Sequence, residues 1–226
     1  LAAAAVGVAV WRRLPETRPP GAHPPRAREM AATAWSLVRM PMFAGCVLQS
    51  AVVYATFLVF ISLAPYVMVS ALGRSPTEFG FYYLFIAAGY FFGNWSVGRF
   101  MARHDLHWMV VVGVLLSAAG AIAALAGVAL GLTHPLWIFV PIGVLSYGQG
   151  LALPNVTATA VSLAPQHAGV ASSTIGFLQQ IIGAAAVQWM GHFPTDTALP
   201  VLLFCAAVCL LGVGMLYVFP RVRAGK

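Results

Sequence analysis

Polar and apolar positions in this chain are not interleaved; they come in blocks. Arg39 and Arg74 enclose 34 uncharged residues, Glu78 and Arg99 enclose 20, and Asp105 and Asp196 enclose 90. At the usual share of charged residues, a soluble sequence would place about 22 charges in the last of these stretches. A helix needs about 20 apolar residues to cross a hydrocarbon core of about 30 Å, so the first block holds one crossing and the second holds another. The third is divided at His134-Pro135 and at Ala164-Pro165-Gln166-His167, where helix breakers and polar residues cluster. The pattern therefore predicts spans near residues 43–70, 79–98, 108–132, 136–162, 169–191 and 199–219. The fold class is all-α: a polytopic membrane helical bundle of six transmembrane helices. Residues 1–11 are as apolar as a span but reach only about 16 Å as helix. Arg12 and Arg13 follow this run instead of preceding it, unlike a secretory signal, so it is read as the end of a truncated transmembrane helix. The expected organisation is a helix tail at 1–11, a basic Pro-rich cytoplasmic linker at 12–39, the bundle at 40–220 and a basic cytoplasmic tail at 221–226.

Composition narrows the class. With 61% hydrophobic and 8% charged residues among 226, the chain cannot cover a soluble surface, and it is too apolar for disorder. Three cysteines do not make a disulfide scaffold. A net charge of +7 would suit nucleic acid, but the positions of the charges speak for a membrane. Six crossings put Arg12, Arg13, Arg18, Arg26, Arg28, Arg39, Arg99, Arg103, Arg221, Arg223 and Lys226 on one side, and Arg74 alone on the other. Lys and Arg are retained on the cytoplasmic side. The linker and the carboxy terminus are therefore expected inside, in a cell inner (plasma) membrane, with the lipid bilayer as a partner and no nucleic acid.

Polar residues within the spans mark candidate chemistry, because they are costly in hydrocarbon and collect on interior faces or around cavities. The third and sixth spans are almost wholly apolar and are expected to face lipid. The other four supply Tyr54, Phe57, Tyr82, Tyr90, Tyr147, Gln149, Asn155, Gln179 and Gln180 as a candidate substrate cavity. Aromatic rings offer stacking surfaces, and a carboxamide both donates and accepts hydrogen bonds; the competing role for each carboxamide is to tie helices together. Gly89 and Gly93 form a small-xxx-small pair, and Gly169, Gly176 and Gly183 repeat every seven residues, as do Gly113, Gly120 and Gly127. Both patterns favour close helix packing. Pro65 and Pro154 are candidate hinges. Residues 147–155, which combine glycines, carboxamides and Pro154, are the least regular membrane sequence; since broken helices are tolerated where backbone lines a cavity, they are the first candidate for a substrate or gating region.

Enzyme chemistry finds no support. The six His residues are scattered, without Cys or carboxylate at ligand spacing, and there is no nucleophile elbow, phosphate loop or zinc motif. No metal or cofactor is expected.

The order of short motifs is similar to that of a known family. Leu14-Pro15-Glu16-Thr17, Ser36-Leu-Val-Arg39 with Phe43, Ser62-Leu-Ala-Pro65-Tyr66-Val67 and Ser75-Pro76-x-x-Phe79-Gly80 follow one another along the chain. Gly98-Arg99, Leu153-Pro154-Asn155-x-Thr157-Ala158, and Ala168-Gly169-x-Ala171-Ser172-Ser173 with Gln179 come after them. Together they resemble the carboxy-terminal half of a twelve-helix major facilitator superfamily transporter, and within it the bicyclomycin-resistance (Bcr/CflA) branch of drug/proton antiporters. The resemblance implies two six-helix halves packed face to face, with a small-molecule substrate between them that is exposed to each side in turn. Helices seven, eight, ten and eleven would line the cavity. The inner-loop sequence from Arg99 to Asp105 lacks the fuller glycine, aspartate and basic pattern of that family's amino-terminal copy.

The resulting expectation is half of a secondary transporter that exports amphipathic molecules or drugs. Its partners would be protons and a missing amino-terminal half. No Asp or Glu lies within a predicted span, so the carboxylate for proton coupling would belong to that other half. An importer of a sugar or organic acid is the competing transport reading. A non-transporting membrane scaffold is the reading from another class.

Overall fold

The computed structural model describes residues 26–194 and 196–218. The expected helix tail at 1–11, linker residues 12–25 and the tail at 221–226 lie outside the described residues. Close contacts divide the chain into residues 1–32 and 33–226, and the bundle belongs to the second unit. The described helices are α1 (Ala27–Val38), α2 (Pro41–Tyr66), α3 (Pro76–Phe100), α4 (Leu106–Ala129), α5 (Leu136–Ser162), α6 (Ala168–Met190) and α7 (Leu199–Val218). A π-helical turn, Val67–Ala71, continues α2, and a 3-10 turn, Pro165–His167, leads into α6.

Local chemistry sets these boundaries. Pro41 and Pro76 each sit in the first turn of a helix, where a missing N–H costs nothing. Ser75 caps α3 by accepting from the Glu78 N–H at 3.2 Å, and Asp105 caps α4 by accepting from the Trp108 N–H at 2.9 Å. Helix α4 ends on Gly131, whose φ of +76° lets the Leu132 N–H fold back to the Gly127 carbonyl at 3.1 Å. Gly131 is therefore a helix terminator.

Two of the stretches singled out above take a definite form. The stretch 12–39, expected as a linker, is helical in its second part, where it forms α1. The prolines at 15, 19, 20, 24 and 25 all precede Ala27, and the Glu29 carboxylate accepts from the Arg26 N–H at 3.0 Å to start the helix. Residues 147–155 are not broken, since α5 runs unbroken from Leu136 to Ser162 with Pro141 and Pro154 inside it. Pro65, by contrast, is followed two residues later by the change from α- to π-helical winding.

Among the described residues, five helical segments are long and apolar enough to cross a membrane: Pro41–Ala71, Leu106–Ala129, Leu136–Ser162, Pro165–Met190 and Leu199–Leu216. At 25 residues α3 is about 37 Å long and also suffices in length, but three tyrosines, four glycines and Asn94 dilute its apolar character. The chain is an all-α membrane helical bundle.

Helix α5 is the centre of that bundle, packing against α2, α3 and α4, while α7 closes on α2 and α4 and α6 leans mainly on α2. Glycine makes the contacts of α5 close. A Cβ added to Gly113 on α4 would stand 2.5 Å from the Gly148 carbonyl oxygen, and one on Gly120 would stand 2.5 Å from the Pro141 carbonyl oxygen. On the other side, a Cβ on Gly150 would meet the Tyr90 carbonyl oxygen at 2.6 Å, and Gly89 and Gly93 abut the backbones of Gly143 and Tyr147. Ser117 stitches the α4–α5 seam, its Oγ lying 2.9 Å from the Gly113 carbonyl and 3.1 Å from the Leu145 carbonyl. Gly183 packs on Leu58 and Tyr54 of α2, whereas a Cβ on Gly169 or Gly176 would meet nothing within 4 Å among the described residues. The two spans expected to face lipid each bury a stripe: Met109, Gly113, Ser117 and Gly120 of α4, and Cys205 and Cys209 of α7. Helices α3 and α6 are the open ones.

Gly148→Leu should force α4 and α5 apart, costing at least about 1–3 kcal/mol from overpacking against backbone. Gly214→Ala on α7 should be neutral or stabilising by up to about 1 kcal/mol, because a helical glycine gains from a methyl that meets nothing. Thermal unfolding midpoints of the full-length protein in detergent check both.

Candidate functional site

The side chains expected in a cavity divide into two sets. Gln149 is 2% exposed, and its Nε2 donates to the Val53 carbonyl at 2.9 Å, tying α5 to α2. Asn155 is 3% exposed, with Nδ2 donating to the Leu151 carbonyl at 2.7 Å and lying 3.7 Å from Met109 Sδ on α4. Both carboxamides point into the packed interior, because a neighbouring helix covers the face of α5 that carries each. Tyr82 lies toward the first turns of α3, its ring 5.4 Å from Phe139 and 6.5 Å from His134. It belongs to an aromatic cluster at the end of the bundle that also holds Phe60 and Phe79.

The remaining candidates stay partly open near the middle of their helices. Phe57 of α2 and Tyr90 of α3 stack with centroids 6.4 Å apart. Tyr147 of α5 reaches α3, its Oη donating to Ser96 Oγ at 3.0 Å, and Ser96 in turn donates to the Phe92 carbonyl at 2.7 Å. Tyr54 lies against Gly183, where only glycine leaves room for its ring beside α6. Gln179 is half-buried and Gln180 exposed on α6. Pro154 is also half-buried on α5.

Helix α6 presents more than was expected of it. Ser173, Phe177, Gln180, Ala184 and Gln188 are all exposed, and their spacing of three and four residues puts them on one face. Ser96, Phe177 and Gln188 were not among the sequence candidates. The helical spacing from Gln180 points to the last two, whereas only the approach of α3 to α5 reveals Ser96. The chemistry on offer is a set of ring faces, phenol hydroxyls and carboxamides, able to stack and hydrogen-bond. No charged residue lies at that depth.

Comparison with known proteins gives this arrangement a family. The sequence pattern described as Major Facilitator Superfamily matches residues 1–187. The chain is similar to a chloramphenicol resistance protein of Pseudomonas aeruginosa, with 28% identity over 93% of this chain and 50% of that protein. It is also similar to a methylenomycin A resistance protein of Streptomyces coelicolor, with 30% identity over 85% of this chain and 40% of that protein. The chain thus spans about half the length, or less, of these curated relatives. The family match covers most of a chain whose long helices form one membrane bundle, and the chain belongs to the Major Facilitator Superfamily.

Proposed function

We propose that the chain is the carboxy-terminal six-helix half of a secondary transporter that exports amphipathic small molecules by alternating access. The observation that carries this reading is the open face. Helices α3 and α6 bury few residues, and the partly open side chains near mid-depth are Phe57, Tyr90, Tyr147, Gln179 and Gln180 rather than uniform aliphatics. A second six-helix half laid against this face would enclose them, in keeping with relatives about twice as long. A ligand there would stack on the rings and be oriented by the phenols and carboxamides. Relatives whose names record resistance to chloramphenicol and to methylenomycin A support a drug as cargo. The short motifs quoted above favour the Bcr/CflA branch.

Proton coupling needs a titratable group in the membrane, and the six spans contain no Asp or Glu. In our reading the coupling carboxylate belongs to the other half, and this half shapes and binds. The glycine contacts around α5 make it a rigid unit that moves as a body, with the π turn after Pro65 as the flexible element at the end of α2. In the same reading, the distribution of basic residues favours a cytoplasmic α3–α4 turn and carboxy terminus in a cell inner (plasma) membrane.

Tyr90→Ala and Gln180→Ala in the full-length protein should each weaken substrate affinity about five- to tenfold, the loss of one stacking or hydrogen-bonding contact of about 1 kcal/mol or more. Drug-resistance titrations at matched protein level would show it, and wild-type resistance in both variants would overturn the open-face site. Gln149→Leu and Asn155→Leu should instead lower the unfolding midpoint, by an interaction of about 1 kcal/mol each, with apparent substrate affinity retained. Vesicles holding residues 1–226 alone should move no protons when substrate is added; a robust signal would refute placing the carboxylate elsewhere. For topology, a cysteine replacing Thr77 should react with an impermeant maleimide in intact cells, and one replacing Ala102 only after permeabilisation.

A further inference from the structure

The bundle holds a cavity of about 370 Å³ that none of the candidate open-face residues lines. It lies where the first turns of α2, the α3–α4 turn, and the last turns of α5 and α7 converge, and its walls include Cys46, Gln49, His107, Met109, Val156 and Met215. Its size falls at the small end of the range for small-molecule pockets, about 300–1,000 Å³.

The residue that distinguishes it is Gln49. This side chain is 4% exposed, and neither its Nε2 nor its Oε1 has a hydrogen-bond partner among the described residues. Buried carboxamides elsewhere in the bundle are satisfied: Gln149 by α2, and Asn155 by its own helix and Met109. An unpaired buried amide is unfavourable and uncommon in native proteins. The amide lies against α7, where a Cβ on Gly212 would stand in ordinary van der Waals contact with Nε2, at 3.4 Å. Here, among the described residues, an amide is kept unpaired in a side chain that lines a cavity with largely apolar walls.

A carboxamide offers a donor and an acceptor side by side, so its complement is a group that also does both: another amide, or a hydroxyl. Among the described residues, no Lys or Arg lines the cavity to favour an anion. At its rim, the Asp105 Oδ1 is already engaged by the Trp108 N–H and the His104 ring is stacked on Trp108 at 3.9 Å. We infer that this cavity is a second binding site, distinct from the open face, for an uncharged amphipathic molecule whose amide or hydroxyl group pairs with Gln49 and whose apolar body lies against Met109, Val156 and Met215. Such a ligand would touch α2, α4, α5 and α7 together and hold that end of the bundle in one arrangement.

The test uses decanamide with a diazirine in its chain, photolysed in native membrane vesicles that carry the full-length protein, with labelled residues mapped by mass spectrometry. Labelling should concentrate on the segments around Cys46–Gln49 and Met215–Leu216. It should saturate, be competed by excess decanamide but not by decane, and fall at least fivefold in Gln49→Leu. Thr159→Phe, which fills the cavity from α5 without altering Gln49, should abolish it as well, and decides the matter where Gln49→Leu fails to accumulate. Both variants should keep wild-type drug resistance, since neither residue lies on the open face. Labelling that rises without saturation, that spreads equally to lipid-exposed positions such as Phe91, or that is unchanged in Gln49→Leu and Thr159→Phe would overturn the site and leave a cavity that holds only water or lipid tails.

Discussion

Backbone-to-backbone approach around α5 is the constraint on which the rest of the bundle depends. In a bilayer, lipid tails are as apolar as leucine, so helices gain little from hiding apolar side chains and must gain from packing. Here α5 presents Gly148 toward α4, and Gly143 and Gly150 toward α3, and glycines on those helices answer them. The two faces of one helix are smooth at different registers, which lets α5 hold two neighbours at close range. Ser117 adds a hydrogen-bonded seam on one side and the Tyr147–Ser96 pair does so on the other.

That arrangement decides the fate of the polar side chains. A carboxamide on a covered face of α5, such as Gln149 or Asn155, finds a carbonyl or a sulfur within the bundle and becomes part of its fabric. Aromatic and carboxamide side chains on the lightly packed helices α3 and α6 remain available to something outside. Gln49 belongs to neither group, being buried, without a partner among the described residues, and part of the wall of a cavity. The same residue type thus serves as tie, as open contact and as unfilled partner. Distance from the glycine seams, more than residue identity, separates these roles.

Much of the fold was legible from residue order. The six predicted spans agree with the observed helices to within a few residues, because charge-free blocks and helix-breaking clusters act locally: Pro135 stands before α5, Pro165 before α6, and Pro41 and Pro76 inside the first turns of α2 and α3. The glycine pairs were recognisable as packing surfaces for the same reason, their spacing fixing a face. The reading failed where one signal has two meanings. Glycines beside Pro154 suggested a broken helix, yet they serve close approach in an unbroken one. Gly131, four residues after Gly127, serves neither packing nor a break but ends α4 with a positive φ.

The sequence alone determined that the chain is a membrane bundle and where its helices begin and end, since these follow from the cost of carrying polar and charged groups through hydrocarbon. Tertiary structure alone decided which polar residues are spent and which are free. Gln149 and Gln180 are equivalent in one dimension, and only the neighbour that covers one and not the other makes the first a tie between α5 and α2 and leaves the second open. The unpaired amide of Gln49 is likewise visible only once α7 has come alongside α2 at Gly212, because hydrogen-bond satisfaction depends on what lies within about 3 Å in space and not on what is adjacent in the chain.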